Sequence, residues 1–222
     1  DGIELAVLSS RYPRGGEKQL IQAVLGREVP PPPGLPLDVG VIVSNVGTAY
    51  AMAEGILEGL PLVERIVSVT GEGVKKPSNF RTLIGTPISF LIEKAGGYSN
   101  TPRKVIMGGP MMGMAIRELN SPVLKGTSGV LVLGKDQVVQ EPILPCVRCG
   151  KCVDACPMRI QPLWIAAYSE RGLIDQAEEA RAMDCCECGA CAFVCPAKRP
   201  LVQWIKMAKA EITARRKAER SR

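Results

Sequence analysis

Residues 146–157 read CVRCGKCVDACP, and residues 185–196 repeat the same spacing as CCECGACAFVCP. In each stretch three cysteines are separated by two residues, and a fourth cysteine follows after three more residues and precedes a proline. The eight cysteines are Cys146, Cys149, Cys152, Cys156, Cys185, Cys188, Cys191 and Cys195. This internal duplication is the strongest signal in the sequence, and it indicates a cysteine-rich, helical module at the C-terminal end of the chain. Between the stretches we expect short helices over 162–170 and 175–182.

The spacing is that of the runs that hold cubane clusters in two-cluster ferredoxins, where the fourth cysteine of each run ligates the other cluster. Thiolates are the soft ligands that iron–sulfur clusters select. Gly150 and Gly189 let the backbone come close to the inorganic sulfides. The sequence therefore predicts two [4Fe–4S] clusters with crossed ligands. Cluster one would use Cys146, Cys149, Cys152 and Cys195, and cluster two would use Cys185, Cys188, Cys191 and Cys156.

Zinc sites and disulfides are the alternatives to iron–sulfur clusters for these cysteines. Structural zinc sites favour two CxxC pairs about 12 to 20 residues apart, unlike the dense runs here. Disulfides are disfavoured because nothing marks the chain as secreted and its nine cysteines would leave one unpaired. Cys186 falls outside the spacing, and we interpret it as a small buried apolar residue beside a cluster. A zinc-stabilised interaction module stays open as the alternative from another functional class.

Composition limits the classes of protein to which this chain can belong. It has 222 residues, 46% of them hydrophobic and 23% charged, which is typical of a packed globular protein. Histidine is absent, so the usual general base at neutral pH is missing. No apolar run approaches the ~18 residues that span a bilayer, and the acidic start is unlike a signal peptide. We expect no transmembrane segment, and we expect the chemistry to depend on the cysteines.

The C-terminal end carries most of the net charge of +6. Its apolar residues recur at three- and four-residue spacing: Leu201, Trp204, Ile205, Ala208 and Ile212. This pattern predicts a helix with one apolar face that continues into a basic tail. A solvated helix end is the simpler interpretation, and docking on an acidic partner or an anionic membrane surface is the alternative. The tail has no interleaved aromatic residues, so we expect no nucleic acid partner.

Residues 1–65 show alternating strand and helix patterns. The predicted elements are strands at 3–8 and 39–43, helices at Glu17–Leu25 and 48–60, and a polyproline loop at 30–36. In the second helix, Met52, Ile56, Leu57 and Leu60 are expected to face inward. Two strands make a poor free-standing sheet. We therefore expect this segment to be the end of a larger α/β domain.

Residues 66–117 are predicted to form a compact α+β unit. Strands are expected at 66–69 and 105–107. Between them, Thr86 is predicted to cap a helix that has Pro87 in its first position and ends at Gly96. The buried face of this helix is predicted to consist of Ile88, Leu91, Ile92 and Ala95.

Four blocks of sequence resemble one known family over essentially the whole chain. They are YPRGGEKQL at 12–20, VSNVGT at 43–48, GGPMMG at 108–113, and the doubled cysteine motif. The chain resembles the RnfC family, the C subunits of the Rnf (Rsx) electron transport complexes. These form the peripheral, nucleotide-oxidising arm of a membrane-bound ferredoxin:NAD oxidoreductase that couples electron flow to ion transport. The resemblance implies an electron-transfer subunit on the cytoplasmic side of the inner membrane, with NADH and the other subunits of the complex as partners.

That family is similar to the NADH-binding flavoprotein subunit of respiratory complex I, which implies an α+β multidomain fold. The implied modules are the C-terminal part of an α/β FMN and NADH domain at 1–65, an SLBB β-grasp domain at 66–117, a linker or strand region at 118–143, an α-helical two-cluster ferredoxin-type domain at 144–204, and a basic helical tail at 205–222. A soluble iron–sulfur flavoenzyme built from the same modules is the alternative within redox chemistry.

The same resemblance implies the residues of a flavin site. Tyr12, Gly15, Gly16 and Glu17 would lie beside the flavin and nicotinamide, and Asn45 with Thr48 would contact the flavin or its phosphate. A glycine pair that opens a helix presents free amides to an anion, although an ordinary capping loop would show the same pattern. The family's glycine-rich flavin loop lies upstream of the matched region, so we expect an N-terminally truncated fragment that binds FMN weakly and is not NADH-active alone. No catalytic side chain is expected, since the cofactors would carry the redox chemistry.

Overall fold

The computed structural model describes residues 2–99, 102–138 and 141–220. The chain divides into two compact units. One combines Asp1–Ser44 with Ile143–Arg222, and we call it the cysteine unit. The other is Asn45–Pro142, which we call the sheet unit.

The helices among the described residues are α1 (Glu17–Leu25), α2 (Val46–Leu57), α3 (Ile88–Lys94), α4 (Lys151–Asp154), α5 (Pro162–Glu170), α6 (Ile174–Glu179), α7 (Ala190–Phe193) and α8 (Leu201–Arg220). Short 3₁₀ helices occur at Pro36–Val39, Lys135–Gln137 and Ala182–Asp184. The strands are β1 (Glu64–Thr70), β2 (Ser78–Leu83), β3 (Lys104–Met107), β4 (Met114–Ile116) and β5 (Gly129–Leu133). None of the helices that the structure describes combines the length and the apolar character needed to span a bilayer.

The sheet unit contains a five-stranded sheet in the order β2-β1-β5-β3-β4. β1 pairs parallel with β5, and the other neighbouring strands pair antiparallel. β5 comes from the region 118–143 that the sequence leaves as linker or strand, yet it lies at the centre of the sheet and its Val130 and Val132 are fully buried. Gly71 is required beside it, because a Cβ there would lie 2.1 Å from the carbonyl oxygen of Val132. The described sheet therefore extends beyond residue 117.

Helix α3 packs on this sheet, and its predicted buried face of Ile88, Leu91, Ile92 and Ala95 is confirmed. The predicted cap is wrong, because the helix begins at Ile88 and the extended Pro87 occupies the N-cap position. Backbone hydrogen bonds hold the residues that lead into the helix: the Val123 amide donates to the Thr86 carbonyl at 2.8 Å, and the Ile88 amide donates to the Ser121 carbonyl at 3.0 Å. These bonds to a distant segment keep the chain extended for one residue longer than the local pattern predicts.

The first 65 residues differ most from the prediction. Helix α1 is confirmed, and Gly26 ends it in the left-handed conformation. The strands predicted at 3–8 and 39–43 are wrong: the first segment has no regular structure, and a 3₁₀ helix occupies Pro36–Val39. A strand needs a backbone partner, and none of the described residues pairs with either segment.

The predicted inward face of the helix at 48–60 is also wrong. The structure places α2 at Val46–Leu57, and Met52, Ile56 and Leu57 are 50%, 82% and 82% exposed. Leu60, beyond the helix, is exposed as well. An inward face needs a neighbouring element to cover it, and the strands predicted at 3–8 and 39–43 do not form among the described residues.

Helices α5, α6 and α8 form the core of the cysteine unit. The apolar face predicted for α8 is confirmed, since Leu201, Ile205, Ala208 and Ile212 are buried and Trp204 is half-buried in the same cluster. The helix predicted at 162–170 is confirmed as α5, whereas α6 is shorter than the predicted 175–182. The basic end of α8 is paired with α6: Arg215 contacts Asp175 at 3.0 Å, and Arg216 pairs with Glu178.

Candidate metal centre

The two cysteine stretches fold into the same local structure. In each, the residue before the second cysteine is left-handed (Arg148, φ 53°; Glu187, φ 57°), and so is the glycine after it (Gly150, φ 77°; Gly189, φ 79°). A four-residue helix follows, α4 in the first stretch and α7 in the second. Equivalent backbone amides then make equivalent hydrogen bonds. The Cys156 amide donates to the Val153 carbonyl, and the Cys195 amide donates to the Ala192 carbonyl.

The correspondence continues beyond the motifs. Arg159 and Lys198 are both left-handed, with φ of 53° and 52°. Helix α5 then begins at Pro162 and α8 begins at Leu201, each at the equivalent distance from its motif. The structural duplication therefore includes one long helix per half, on which each set of cysteine loops packs.

The two repeats together line two cavities, and each repeat contributes cysteines to both of them. The lining of the first cavity includes Cys146, Cys149, Cys152 and Cys195. The lining of the second cavity includes Cys185, Cys188, Cys191 and Cys156. The structure thus groups the cysteines into the two crossed sets expected from the spacing.

The donors in these cavities fit iron–sulfur clusters. All nine cysteines are free thiols, and among the described residues no carboxylate side chain lines either cavity. Four thiolates with no oxygen donor is the ligand set that such clusters select. Within the described ranges, no group of three or more Cys, Asp or Glu side chains is arranged to hold a single metal ion. A cubane differs from a single ion because it keeps its four thiolates apart by the width of the cluster.

The two sets of thiols differ in exposure. Cys146 and Cys149 are exposed, whereas Cys188 and Cys191 are buried. Burial raises the pKa of Cys191 to about 12, and burial is also the main cause that raises the pKa of Cys152 and of Cys185. Because cluster ligands are thiolates, these groups must release protons when they bind iron.

The segment with the predicted flavin residues lies against the second cavity's cysteine loop. The Tyr12 hydroxyl donates to the Cys188 carbonyl oxygen at 2.5 Å, and the Gln19 side-chain Nε2 donates to Met158 Sδ at 3.0 Å. Gly16 is the N-cap of α1, and Glu17 lies in its first turn. Gly15 has open space around its Cα, so no close contact requires glycine there.

An open cavity of about 500 Å³ lies beside this segment. Its lining includes four basic side chains and one acidic side chain: Arg11, Arg14, Lys18, Arg159 and Glu28. Tyr12, Pro157 and Met158 also line it, so the cavity reaches from the start of α1 to the turn that follows Cys156. This excess of positive charge suits an anionic group such as a phosphate.

Three family models match the chain. An SLBB domain matches residues 66–115, the Nuo51 FMN-binding domain matches residues 1–54, and a 4Fe-4S dicluster domain matches residues 145–199. These matches confirm the predicted α+β multidomain fold class. They also confirm, at the level of the domain family, the prediction of [4Fe–4S] clusters and FMN as cofactors.

Curated relatives match nearly the whole chain. It is 51% identical over 215 residues to the C subunit of the Na(+)-translocating ferredoxin:NAD(+) oxidoreductase complex of Acetobacterium woodii, covering 97% of this chain and 48% of that protein. It is 43% identical to the C subunit of the proton-translocating ferredoxin:NAD(+) oxidoreductase complex of Clostridium ljungdahlii, covering 99% and 48%. The chain is homologous to the C subunits of these complexes.

The C subunit of the ion-translocating oxidoreductase complex of Rhodobacter capsulatus is 43% identical over 212 residues, which are 96% of this chain and 41% of that protein. The chain therefore spans about half the length of the curated RnfC relatives it matches. The resemblance found in the four sequence blocks is confirmed.

The two remaining flavin-site residues implied by the RnfC resemblance belong to the sheet unit. The Asn45 side chain accepts a hydrogen bond from the Gly47 amide at 2.9 Å and caps α2. Thr48 is exposed in the first turn of the same helix. The described contacts give Asn45 a capping role, which is the alternative that the sequence left open, and its role toward flavin stays a prediction.

Sequence reasoning missed charged residues that hold the second cysteine loop. Lys209 on α8 donates to the Cys185 carbonyl at 2.7 Å and contacts Glu187 at 2.6 Å. The Glu187 amide donates to Cys185 Sγ at 3.3 Å. In the first half the equivalent positions carry the opposite charges, Arg148 and Glu170. Comparison of the two repeats beyond their cysteines could have identified these positions.

Cys186 is half-buried and lines the second cavity. A hydrogen bond with Cys186 lowers the pKa of Cys188 to about 6 and is the main cause that raises the pKa of Cys186. The equivalent position in the first half is Val147, which lines the first cavity. This equivalence to an apolar residue supports the interpretation of Cys186 as a residue beside the cluster site rather than a ligand.

Proposed function

We propose that this chain is the electron-relay part of the RnfC-type subunit of an ion-translocating ferredoxin:NAD(+) oxidoreductase, in which electrons pass between NADH with FMN and the other subunits. One observation carries the proposal: two adjacent cysteine stretches form two cavities, and each cavity takes three cysteines from one stretch and the fourth from the other. The names of the homologous subunits support the assignment to this class of complex.

The cysteines would hold the clusters in the crossed sets. Cys146, Cys149, Cys152 and Cys195 would hold one, and Cys185, Cys188, Cys191 and Cys156 the other. When bound, each [4Fe–4S] cluster supplies a carrier of single electrons. The chain's own contribution is positional: the left-handed residues at Gly150 and Gly189 turn three thiols toward one centre, and α4 and α7 carry the fourth thiol to the neighbouring centre.

The segment around Tyr12 would connect the flavin side to the relay. In the full-length protein, Tyr12, Gly15, Gly16 and Glu17 would lie beside FMN and NADH, and Asn45 with Thr48 would contact the flavin. Two observations support this. The Tyr12 hydroxyl contacts the Cys188 backbone, and the neighbouring cavity is rich in basic side chains that suit phosphate groups. No side chain is assigned a role as acid or base.

The domain division belongs to the same proposal. Residues 1–65 would complete a flavin and NADH module, residues 66–117 together with β5 would form the β-grasp module, and residues 144–204 would hold the clusters, followed by the basic helix at 205–222. The subunit would lie peripherally on the cytoplasmic face of the inner membrane, with the other subunits of the complex and NADH as partners.

Anaerobic purification followed by iron, sulfide and zinc analysis tests the relay. We expect about eight irons and eight sulfides per chain, because two cubanes carry four of each, and EPR of the dithionite-reduced protein should show two interacting reduced clusters. Stoichiometric zinc without iron in an anaerobic preparation would overturn the proposal in favour of a zinc-stabilised module.

A further inference from the structure

The two cavities are equivalent in backbone but differ in charge. Arg148 and Arg199 line the first cavity. The residues that line the second cavity are all uncharged apart from its cysteine thiols. The position equivalent to Arg199 in the first repeat is Ile160, and Ile160 lines the second cavity. The duplication therefore places a guanidinium in the lining of one cavity and an aliphatic side chain at the matching place of the other. The cation nearest the second set of cysteines, Lys209, lies outside that lining, where it contacts the Cys185 backbone carbonyl and is paired with Glu187.

Arg199 is fixed where its charge acts on the first centre. It lies in the turn that follows Cys195, and its side chain is only 16% exposed. Its guanidinium donates a hydrogen bond to the Glu170 carboxylate at the end of α5. A partly buried charge is screened by solvent and salt less than an exposed one, so Arg199 is the stronger of the two arginine charges at this cavity.

The two centres also differ in the solvent exposure of their cysteines, and this difference favours the reduced state of the same centre as the difference in charge. Cys146 and Cys149 of the first centre are exposed, whereas Cys188 and Cys191 of the second are buried. Charge, hydrogen bonds and solvent exposure set the reduction potential of a cluster. A reduced cluster carries one more negative charge than an oxidised one, so nearby positive charge and solvent both favour the reduced state.

We propose that the charge of Arg199 gives the first centre a higher reduction potential than the second. This inference rests on the proposed function. One electron would leave the centre held by Cys156, Cys185, Cys188 and Cys191, which is thereby oxidised, and the same electron would reduce the centre held by Cys146, Cys149, Cys152 and Cys195. Electrons would thus be favoured to move away from the Tyr12 segment and toward the exposed cysteines of the first cavity.

EPR-monitored redox titration of the full chain tests the proposal. A Cys149→Ser variant identifies which signal belongs to the first centre. Arg199→Ile, which copies the residue of the other repeat, should shift the midpoint potential of that signal to a more negative value and leave the second centre unchanged. Arg216→Gln is the matched control, because this arginine pairs with Glu178 and lines neither cavity; it should change neither midpoint.

A second variant separates charge from mere packing. Glu170→Gln removes a negative charge from the pair and should shift the first midpoint in the opposite, more positive direction. Shifts of the same sign in both variants, or unchanged midpoints in a fully loaded Arg199→Ile protein, would overturn the role of Arg199. Iron and sulfide analysis of the unmodified chain distinguishes failure of the proposed function from failure of this inference. A chain without clusters would refute the electron relay itself. Eight irons per chain with midpoints that Arg199→Ile does not move would refute only the effect of Arg199 on the potential.

Discussion

Single residues decide whether the cysteine loops can close around a centre. Gly150 has a φ of 77° and open space around its Cα, so the backbone conformation and not a steric contact requires glycine there. In the left-handed region a side chain costs roughly 1–2 kcal/mol. Gly150→Ala should therefore lower the free energy of unfolding of the anaerobic protein by about 1 kcal/mol, measured by denaturant titration of tryptophan fluorescence.

The control for this prediction is Gly15→Ala, at a glycine in the same unit as both tryptophans, with no neighbouring atom within 4 Å and no left-handed φ. It should leave the unfolding midpoint unchanged. Equal losses in the two variants would show that the left-handed turn at Gly150 is not what the loop needs.

At the residue scale the sequence predicted which cysteines group together, but not the charges that hold them. The cysteine grouping follows from a local spacing. The contact between Arg199 and Glu170 joins residues 29 positions apart, and Lys209 reaches the Cys185 carbonyl from 24 positions away. Such pairs depend on the packing of α5 against α8, so no local sequence pattern predicts the contacts.

Among the elements, α8 has the clearest division between a buried and an exposed face. Ile205 is fully buried, whereas Met207 on the same helix is 58% exposed. Truncation of a buried isoleucine leaves a cavity and costs about 2–5 kcal/mol. Ile205→Ala should lower the unfolding free energy by about 3 kcal/mol, and Met207→Ala, the matched control, should change it little. A similar loss in both variants would contradict the packing of α8 on α5.

Each cavity takes three cysteines from one stretch and the fourth from the other, and this exchange gives a second prediction at the scale of the elements. Cys195 lies in the second stretch but lines the first cavity, so Cys195→Ser should alter the same EPR signal as Cys149→Ser. Cys191→Ser should alter the other signal. EPR of the three reduced variants measures this, and a signal shared by Cys195→Ser and Cys191→Ser would show that each stretch holds its own cluster.

Elements were predictable where their partner was close in sequence or where the pattern was long. The buried face of α3 and the apolar face of α8 follow the helical period. The strands expected at 3–8 and 39–43 do not form, since an apolar run becomes a strand only when a neighbour accepts and donates its backbone hydrogen bonds. β5 shows the opposite case: a short run in a region predicted as linker or strand becomes the central strand because β1 and β3 flank it.

For the whole molecule, the two units should respond differently to loss of metal. The sheet unit has its own buried core, which includes Val67, Val132 and Ile92. The cysteine loops are instead proposed to depend on ligands exchanged between the two halves. When iron is removed by an anaerobic chelator, hydrogen exchange should increase strongly at α4 and α7 and remain slow at β5 and α3. Loss of protection at β5 as well would show that the units do not fold independently.

The sequence by itself predicted the cysteine sets and determined the helices with a clear apolar period and the homology to the RnfC family, because each depends on residues that recur at short, regular spacing. Only the tertiary structure placed β5 at the centre of the sheet, brought Tyr12 to the Cys188 carbonyl, and set Arg199 with Glu170 at one centre but not at the other. Those features depend on which distant segments meet. That outcome is set by the packing of whole elements, and no local period in the chain encodes it.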